Sequence, residues 1–445
     1  MVAERRLSSS AVAQVMRVRP FRRLWLVLGL SSLGDWLGLL ATSAFASAQM
    51  SSPVAQGATF GGVIVVQLLP SLFLGPLGGV LADRFDRRRA MVVVDVARFL
   101  LFASIPAAAV VVDNPGLVVG WAGVASFAAQ LGAMVWNPAK DAAVPNLLPR
   151  DRLEIANQLT LITTYGVTPV LAALAFSAAA RMPSVGRTDA AAYALYFDAL
   201  TFLTSAAVVF FGVPEISGRA GAAERARESF REAVGTGWRY MSRSRLLRGL
   251  IAGVLGSFAG AGTVVGAARF YSRSLGGGDA AFGLLFGGLF VGFGLGVLAG
   301  PTISGWLSRR LTFGLAVQLA GVAVVLLSIT TRLAIALAEV VVVGIGAGAA
   351  LLYGVTIMGA EVDDAVRGRV FAVVQTSAKA VLLLATAMSS TLAGVTSFGS
   401  RLLYAAAGCC GVVVGAIAVH QMSERPGVSL RRILRDATGR GRPRL

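Results

Sequence analysis

The chain has 445 residues, 56% of them hydrophobic and 14% charged, with 53 glycines and a mean hydropathy of +0.73, which is too apolar and too weakly charged for an ordinary soluble domain. Its formal charge of +18 does not point to nucleic acid, because a nucleic-acid binder gathers Lys and Arg on one face of a soluble fold, whereas here they fall between long apolar runs. The adjacent Cys409 and Cys410 and the lone His420 supply neither a disulfide framework nor a metal set, so the composition describes a polytopic membrane protein without metal or cofactor.

A helix crossing a hydrocarbon core about 30 Å thick needs about 20 mostly apolar residues. The sequence predicts twelve such spans, at 24–48, 58–81, 90–112, 116–138, 155–180, 190–213, 247–270, 280–306, 311–330, 333–358, 370–396 and 401–421. The first follows a polar, arginine-bearing segment and is expected to stay as a membrane helix rather than leave as a signal peptide. It carries Asp35, twelve residues beyond Arg23 and therefore about 18 Å along the helix, near mid-membrane. The second span closes on GPLGGVLADRFDRRRA at 75–90, an abrupt change from glycine-rich apolar to charged sequence. In the third, Asp95 and Arg98 stand three residues apart, neighbours on one helix face, and are expected to pair with each other or with the preceding loop. Gln67, Gln130, Asn137 and Asn157 are candidate polar contacts along a pathway.

Asp198 in the sixth span and Glu339 in the tenth are expected nearer the outer surface, as interfacial or helix-bonding carboxylates. Lys379 in the eleventh stands ten residues beyond Arg369, about 15 Å in, and is expected at the depth of Asp35. Glycines at four-residue spacing (Gly34 and Gly38; Gly292, Gly296 and Gly300; Gly344 and Gly348) read as helix-packing positions. The long segment between the sixth and seventh spans holds Phe230, Val234, Trp238 and Met241 at helical spacing, the pattern of an amphipathic surface helix. Most basic residues fall on the side of the termini, which the positive-inside rule assigns to the cytoplasm. GPTISGWLSRR at 300–310 repeats Gly75, Pro76 and Arg84 as Gly300, Pro301 and Arg309, which favours two parallel halves. The expected organisation is a six-helix bundle at 1–213, a cytoplasmic loop at 214–246, a second six-helix bundle at 247–422 and a basic tail at 423–445.

Gly79, Asp83, Arg84, Arg87 and Arg88 match G-x-x-x-D-R-x-G-R-R and resemble the loop signature between the second and third helices of the major facilitator superfamily, with Asp86 where many members have glycine. DRFDRRRAMVVVDVARF resembles the drug:proton antiporter branch that holds macrolide-efflux and siderophore-export proteins. SSLGDWLGLLA at 31–41, NPAKDAAVPNLLPRDRLEIANQLTLITTYG at 137–166, ALYFDALTFLTSA at 194–206 and RGRVFAVVQ at 367–375 are most similar to the transporter portion of actinobacterial transporter–thymidylate kinase fusions. The kinase is absent: a phosphate-binding loop needs Lys followed by Ser or Thr, and Lys140 and Lys379 precede Asp141 and Ala380. Gly166 and Pro169 partly match the glycine-proline motif of the superfamily's antiporters.

The resemblance implies an all-α membrane fold of two six-helix bundles that works as a monomer in the cell membrane. It implies that the loop after the second span latches the cytoplasmic side, with Asp83 facing the N-terminus of the eleventh helix near Gly368 and with Asp95 and Arg98 sharing the gating. Ionisable groups deep in a span mark functional sites by default, so Asp35 is expected to carry a coupling proton, with Lys379 modulating it or touching substrate. The expected function is proton-coupled efflux of amphipathic small molecules by alternating access. A lipid or lysolipid flippase, and a membrane scaffold for a separate nucleotide-metabolising partner, are the alternatives. No enzyme is expected, since one histidine near the membrane surface offers no nucleophile-base pair.

Overall fold

The computed structural model describes residues 9–73, 86–149, 152–181, 187–216, 245–303, 307–362, 364–395 and 399–422. Of the loop signature, Gly79, Asp83 and Arg84 lie outside the described residues, as do the amphipathic stretch around Trp238 and the tail beyond Met422. Among the described residues, twelve helices are long and apolar enough to cross a membrane, in the order and number that hydropathy predicts. They run Arg19–Ala48, Pro53–Phe73, Arg87–Val111, Pro115–Leu147, a composite fifth, Arg187–Gly212, Arg245–Ser274, Gly278–Ile303, Arg309–Ile329, Leu333–Glu361, Asp364–Leu392 and Gly399–Met422. The fifth joins Leu153–Ile162 and Thr168–Ala179 through a π-helical turn, Thr163–Val167. A short helix, Ser9–Met16, precedes the first span; its Val15 is fully buried.

Helix starts follow local chemistry. Asp86, the departure from the superfamily signature, is the N-cap of the third span, its carboxylate accepting from the Arg89 N–H at 2.9 Å. Such a cap satisfies an otherwise orphaned donor. Asn114 caps the fourth span ahead of Pro115, and Ser308 caps the ninth. At the other end of the sixth span, Arg23 donates to Gly212 O at 2.8 Å and Arg88 to Phe210 O, placing cations on the negative end of the helix dipole.

The first six spans form one bundle and the last six the other. Within the first, the sixth span packs on the first and third; within the second, the ninth packs on the tenth and twelfth. The glycine spacing is explained where the eighth span crosses the tenth. A Cβ on Gly344 would lie 2.1 Å from Leu289 O, and one on Gly292 2.0 Å from Val341 O, so the backbones approach to a distance that no side chain allows.

Between the bundles, the second span meets the eleventh and the fifth meets the eighth. These contacts gather at the end remote from the termini. Gly57 abuts Ser390 O, Gly394 abuts Pro53 O, and the Ser177 hydroxyl donates to Ala280 O at 3.0 Å. Arg273 donates to Gln56 Oε1 at 2.8 Å across the same seam. The apolar core repeats the pattern: Phe60, Phe176, Phe282 and Phe286 belong to one cluster spanning both bundles, whereas the clusters nearer the termini stay within a single bundle.

Candidate functional site

The third span delivers Asp95 and Arg98 into the first bundle, both buried, at 0% and 3% exposed. They neither pair with each other, as their spacing suggests, nor meet the described part of the preceding loop. The Arg98 guanidinium forms an ion pair with Asp35 of the first span and lies over the Phe202 ring, 3.8 Å from its centroid. Asp95 Oδ2 accepts from Trp136 Nε1 at 3.1 Å and from Ser205 Oγ at 2.5 Å. Two residues one turn apart thus reach three neighbouring helices, Arg98 the first and sixth spans and Asp95 the fourth and sixth.

Asp198, expected near the outer surface, is fully buried, and neither of its carboxyl oxygens has a hydrogen-bond partner among the described residues. It fits against the first span because Gly34 and Gly38 leave room: a Cβ at Gly34 would stand 2.6 Å from Asp198 Oδ1, and one at Gly38 2.5 Å from Oδ2. Arg98 and Asp35 are both within electrostatic reach of Asp198 and of Asp95. Three carboxyl groups therefore surround one guanidinium. Only Asp35 opens outward, with 42% of its side chain exposed.

The π-helical turn sets the position of the first span. Thr168 N–H bonds Thr163 O, and the Thr164 carbonyl accepts from Trp36 Nε1 at 2.9 Å. Ser32 Oγ and Thr168 Oγ1 share a hydrogen bond of 2.8 Å beside it. Insertions of this kind recur where a helix must offer a backbone group sideways. Trp36 in turn meets Phe290 and Phe286 of the eighth span, at centroid distances of 4.8 and 6.0 Å, so the residue next to Asp35 belongs to the contact between the bundles.

Other expected site residues fall elsewhere. Lys379 is half-buried and has no ion-pair partner among the described residues; the cation that Asp35 meets is Arg98. Arg87 is buried at the start of the third span, and Arg88 is held by the Phe210 carbonyl and ring. Gln67 is buried and donates to Ser126 Oγ at 3.4 Å. Gln130 is half-buried and Asn137 exposed; Asn157 lies in helix Leu153–Ile162 with its side chain outside the described residues. Glu339 is a helix-bonding carboxylate, as expected, accepting from Thr330 Oγ1 at 2.8 Å. The residues that sequence reasoning left out of the site are Asp198, Phe202, Trp136, Ser205 and Trp36. Asp198 and Phe202 are four apart, and Gly34 and Gly38 flank Asp35 at the same interval. That interval is the available signal that these residues share a face.

Among the described residues, twelve spans in two bundles, with no strands and with a buried charged group inside the first bundle, define a membrane transporter of the major facilitator type. The chain belongs to the transmembrane secretion effector family of that superfamily, whose model matches residues 9–434. It is similar to an MFS-type transporter of Mycobacterium tuberculosis (strain ATCC 25618 / H37Rv), 28% identical over 84% of this chain and 86% of the relative. A match to an MFS-type transporter of Bacillus subtilis (strain 168) is 29% identical but spans 41% of this chain and 39% of that protein. Among solved structures, a bacterial homologue of the human lysosomal transporter Spinster, inward-facing and unoccupied, superposes with a TM-score of 0.68 at 14% identity, covering 96% of this chain and 99% of that one. A D-xylose–proton symporter superposes at 0.64 with 15% identity, over 89% and 96% of the two chains.

Proposed function

We propose that the protein exports amphipathic small molecules in exchange for protons, by alternating access between its two bundles, with the Asp35–Arg98 pair as the coupling site. The carrying observation is the imbalance at that site, three carboxyl groups to one guanidinium, with Asp35 alone open. Burying unpaired charge is costly in a medium of low dielectric, so such a group favours exchanging a proton or a cation over holding an excess of negative charge. Trp36, the residue after Asp35, meets Phe286 and Phe290, so aromatic surface lies within one residue of the open carboxylate, which suits a ligand that is both apolar and positively charged. This reading assigns the chain to the drug:proton antiporter branch.

The distribution of basic residues supports termini in the cytoplasm of a cell-membrane protein. The inter-bundle contacts lie at the opposite end, so the pathway in this conformation opens towards the cytoplasm. Arg87 and Arg88 flank the third span where the loop after the second span would latch the inner side, with Asp95 and Arg98 gating behind it. An apolar recess of about 450 Å³ lined by Thr59, Val63 and Phe127 lies between the second and fourth spans of one bundle.

The test is acridine-dye quenching in inverted vesicles, with cationic, neutral and lipid-like compounds tried for collapse of a preformed proton gradient. Collapse by cationic amphiphiles in wild type and its loss in Asp35→Asn are expected. Collapse by no compound, with protein shown to be folded, would refute export coupled to protons.

A further inference from the structure

Asp198 sits in the most demanding environment of any carboxyl group in the described bundle. It is 0% exposed, its two oxygens have no donor among the described residues, and the glycines on both sides of Asp35 leave the room that admits it. A carboxylate bonded to nothing in such a place is far less favourable than a neutral acid. The helices packed on the sixth span here are the first, third and fifth. The first brings Asp35, the third Asp95 and Arg98, and Thr168–Ala179 of the fifth carries no ionisable side chain. Among the described residues the one positive group able to reach Asp198 is therefore Arg98, whose side chain packs on Phe202, one turn beyond Asp198. Asp95 is bonded to Trp136 and Ser205 through Oδ2, its Oδ1 having no partner among the described residues.

We propose that Asp198 holds the exchangeable proton of this transporter, and that a cationic ligand at Asp35 expels it by driving Arg98 from Asp35 to Asp198. This deepens the export reading and rests on it for the identity of the ligand. The charges balance. Before exchange, Arg98 is bound to the Asp35 carboxylate and Asp198 is neutral, while Asp95 keeps one protonation state throughout. The arriving cation takes over Asp35, the guanidinium turns to Asp198, and the Asp198 O–H bond breaks. Its proton leaves through the space Arg98 has vacated to water at the open carboxylate. The buried group has the same net charge at both stages, so neither state carries an extra buried charge. One cation enters for each proton released. The Phe202 ring faces the guanidinium through the turn and holds the pivot.

The experiment reads protonation directly, without transport. Infrared spectra of the purified full chain in lipid nanodiscs at neutral pH are expected to contain the carbonyl-stretch band of a protonated carboxyl group, lost in Asp198→Asn. Asp35→Asn is expected to lose the same band, because Arg98, released from Asp35, pairs with Asp198; this second variant keeps the test open if Asp198→Asn does not fold. Binding of tetraphenylphosphonium to wild type should abolish the band and release about one proton per bound cation into weakly buffered solution. A band that persists undiminished in Asp198→Asn or in Asp35→Asn overturns the proposal, as does tetraphenylphosphonium binding without proton release. A vesicle assay with no gradient collapse for any compound overturns the export reading instead, and the band still decides whether Asp198 holds a proton.

Discussion

The seam between the bundles offers a direct test of alternating access at a site far from the charged group. Arg273 of the seventh span donates to Gln56 Oε1 of the second at 2.8 Å, and both side chains are half-buried. A hydrogen bond to a charged group contributes about 1.5 to 3 kcal/mol, and partial exposure puts this one near 1.5 kcal/mol. The other bond of Gln56, from Nε2 to Met50 O, stays within one bundle and is the same whether the seam is closed or open. Gln56→Leu keeps the side-chain bulk and removes the inter-bundle acceptor, so it should shift the closed-to-open equilibrium of that end by about tenfold. Spin labels at Ser51 and Val395, both exposed at the seam's end, in a background with Cys409 and Cys410 replaced by serine, would report the change as pulsed-dipolar distance distributions. The long-distance population should grow about tenfold over wild type. Identical distributions in the two proteins would refute the claim that this hydrogen bond holds the seam.

Two further substitutions probe the packing. Arg98→Met leaves the buried carboxyl groups without a cation and should lower stability by about 2 kcal/mol or more, less than for a fully buried pair because Asp35 is partly open. Adding Asp35→Asn should recover part of the loss, and thermal unfolding of the four proteins of the cycle measures the coupling; strictly additive effects would mean that the ion pair contributes nothing. Gly344→Val places a Cβ where Leu289 O stands 2.1 Å away and should prevent accumulation of folded protein. Gly359→Ala, where a Cβ meets nothing within 4 Å, should leave the yield in membranes unchanged.

Span number and order were legible because the bilayer imposes one length and one polarity on every crossing helix, and twelve apolar runs meet that condition almost independently of their neighbours. Gly292 and Gly344 were legible as packing positions for a related reason, since small residues at four-residue spacing serve one face of one helix. Partnerships were not legible. Asp95 and Arg98 are neighbours on their helix, yet Asp95 bonds to the fourth and sixth spans and Arg98 pairs with the first, and only the packing of these three spans on the third decides this. Lys379 and Asp35 were matched by depth alone, and depth says nothing about the direction a side chain takes around the helix axis. Asp198 was misplaced for the same reason. Counting along the sixth span gives its height but not the pocket that Gly34 and Gly38 open for it. The π-helical turn left a partial trace, Gly166 with Pro169, which marks an irregular backbone without revealing that Thr164 O would receive Trp36.

The adjacency of Asp35 and Trp36 gives the charged group its mechanical connection. Successive residues on a helix point about 100° apart, so one turn of the first span presents Asp35 to Arg98 and Trp36 to the eighth span at once. The indole is fixed twice, by its N–H on Thr164 O and by its ring against Phe290 at 4.8 Å. It cannot yield to a movement of Asp35 without disturbing a contact between the bundles. In the proposed exchange, a change of partner at Asp35 therefore acts within one residue of an aromatic contact between the bundles. The coupling needs no long chain of intermediates, because a rigid helix carries both groups and Gly34 and Gly38 let a third helix press against the same turn. Replacing Trp36 by leucine retains apolar bulk but frees the Thr164 carbonyl and removes the edge-to-face partner of Phe290. The seam's distance distribution in that variant should no longer respond when tetraphenylphosphonium is added. A response equal to that of wild type would place the connection elsewhere.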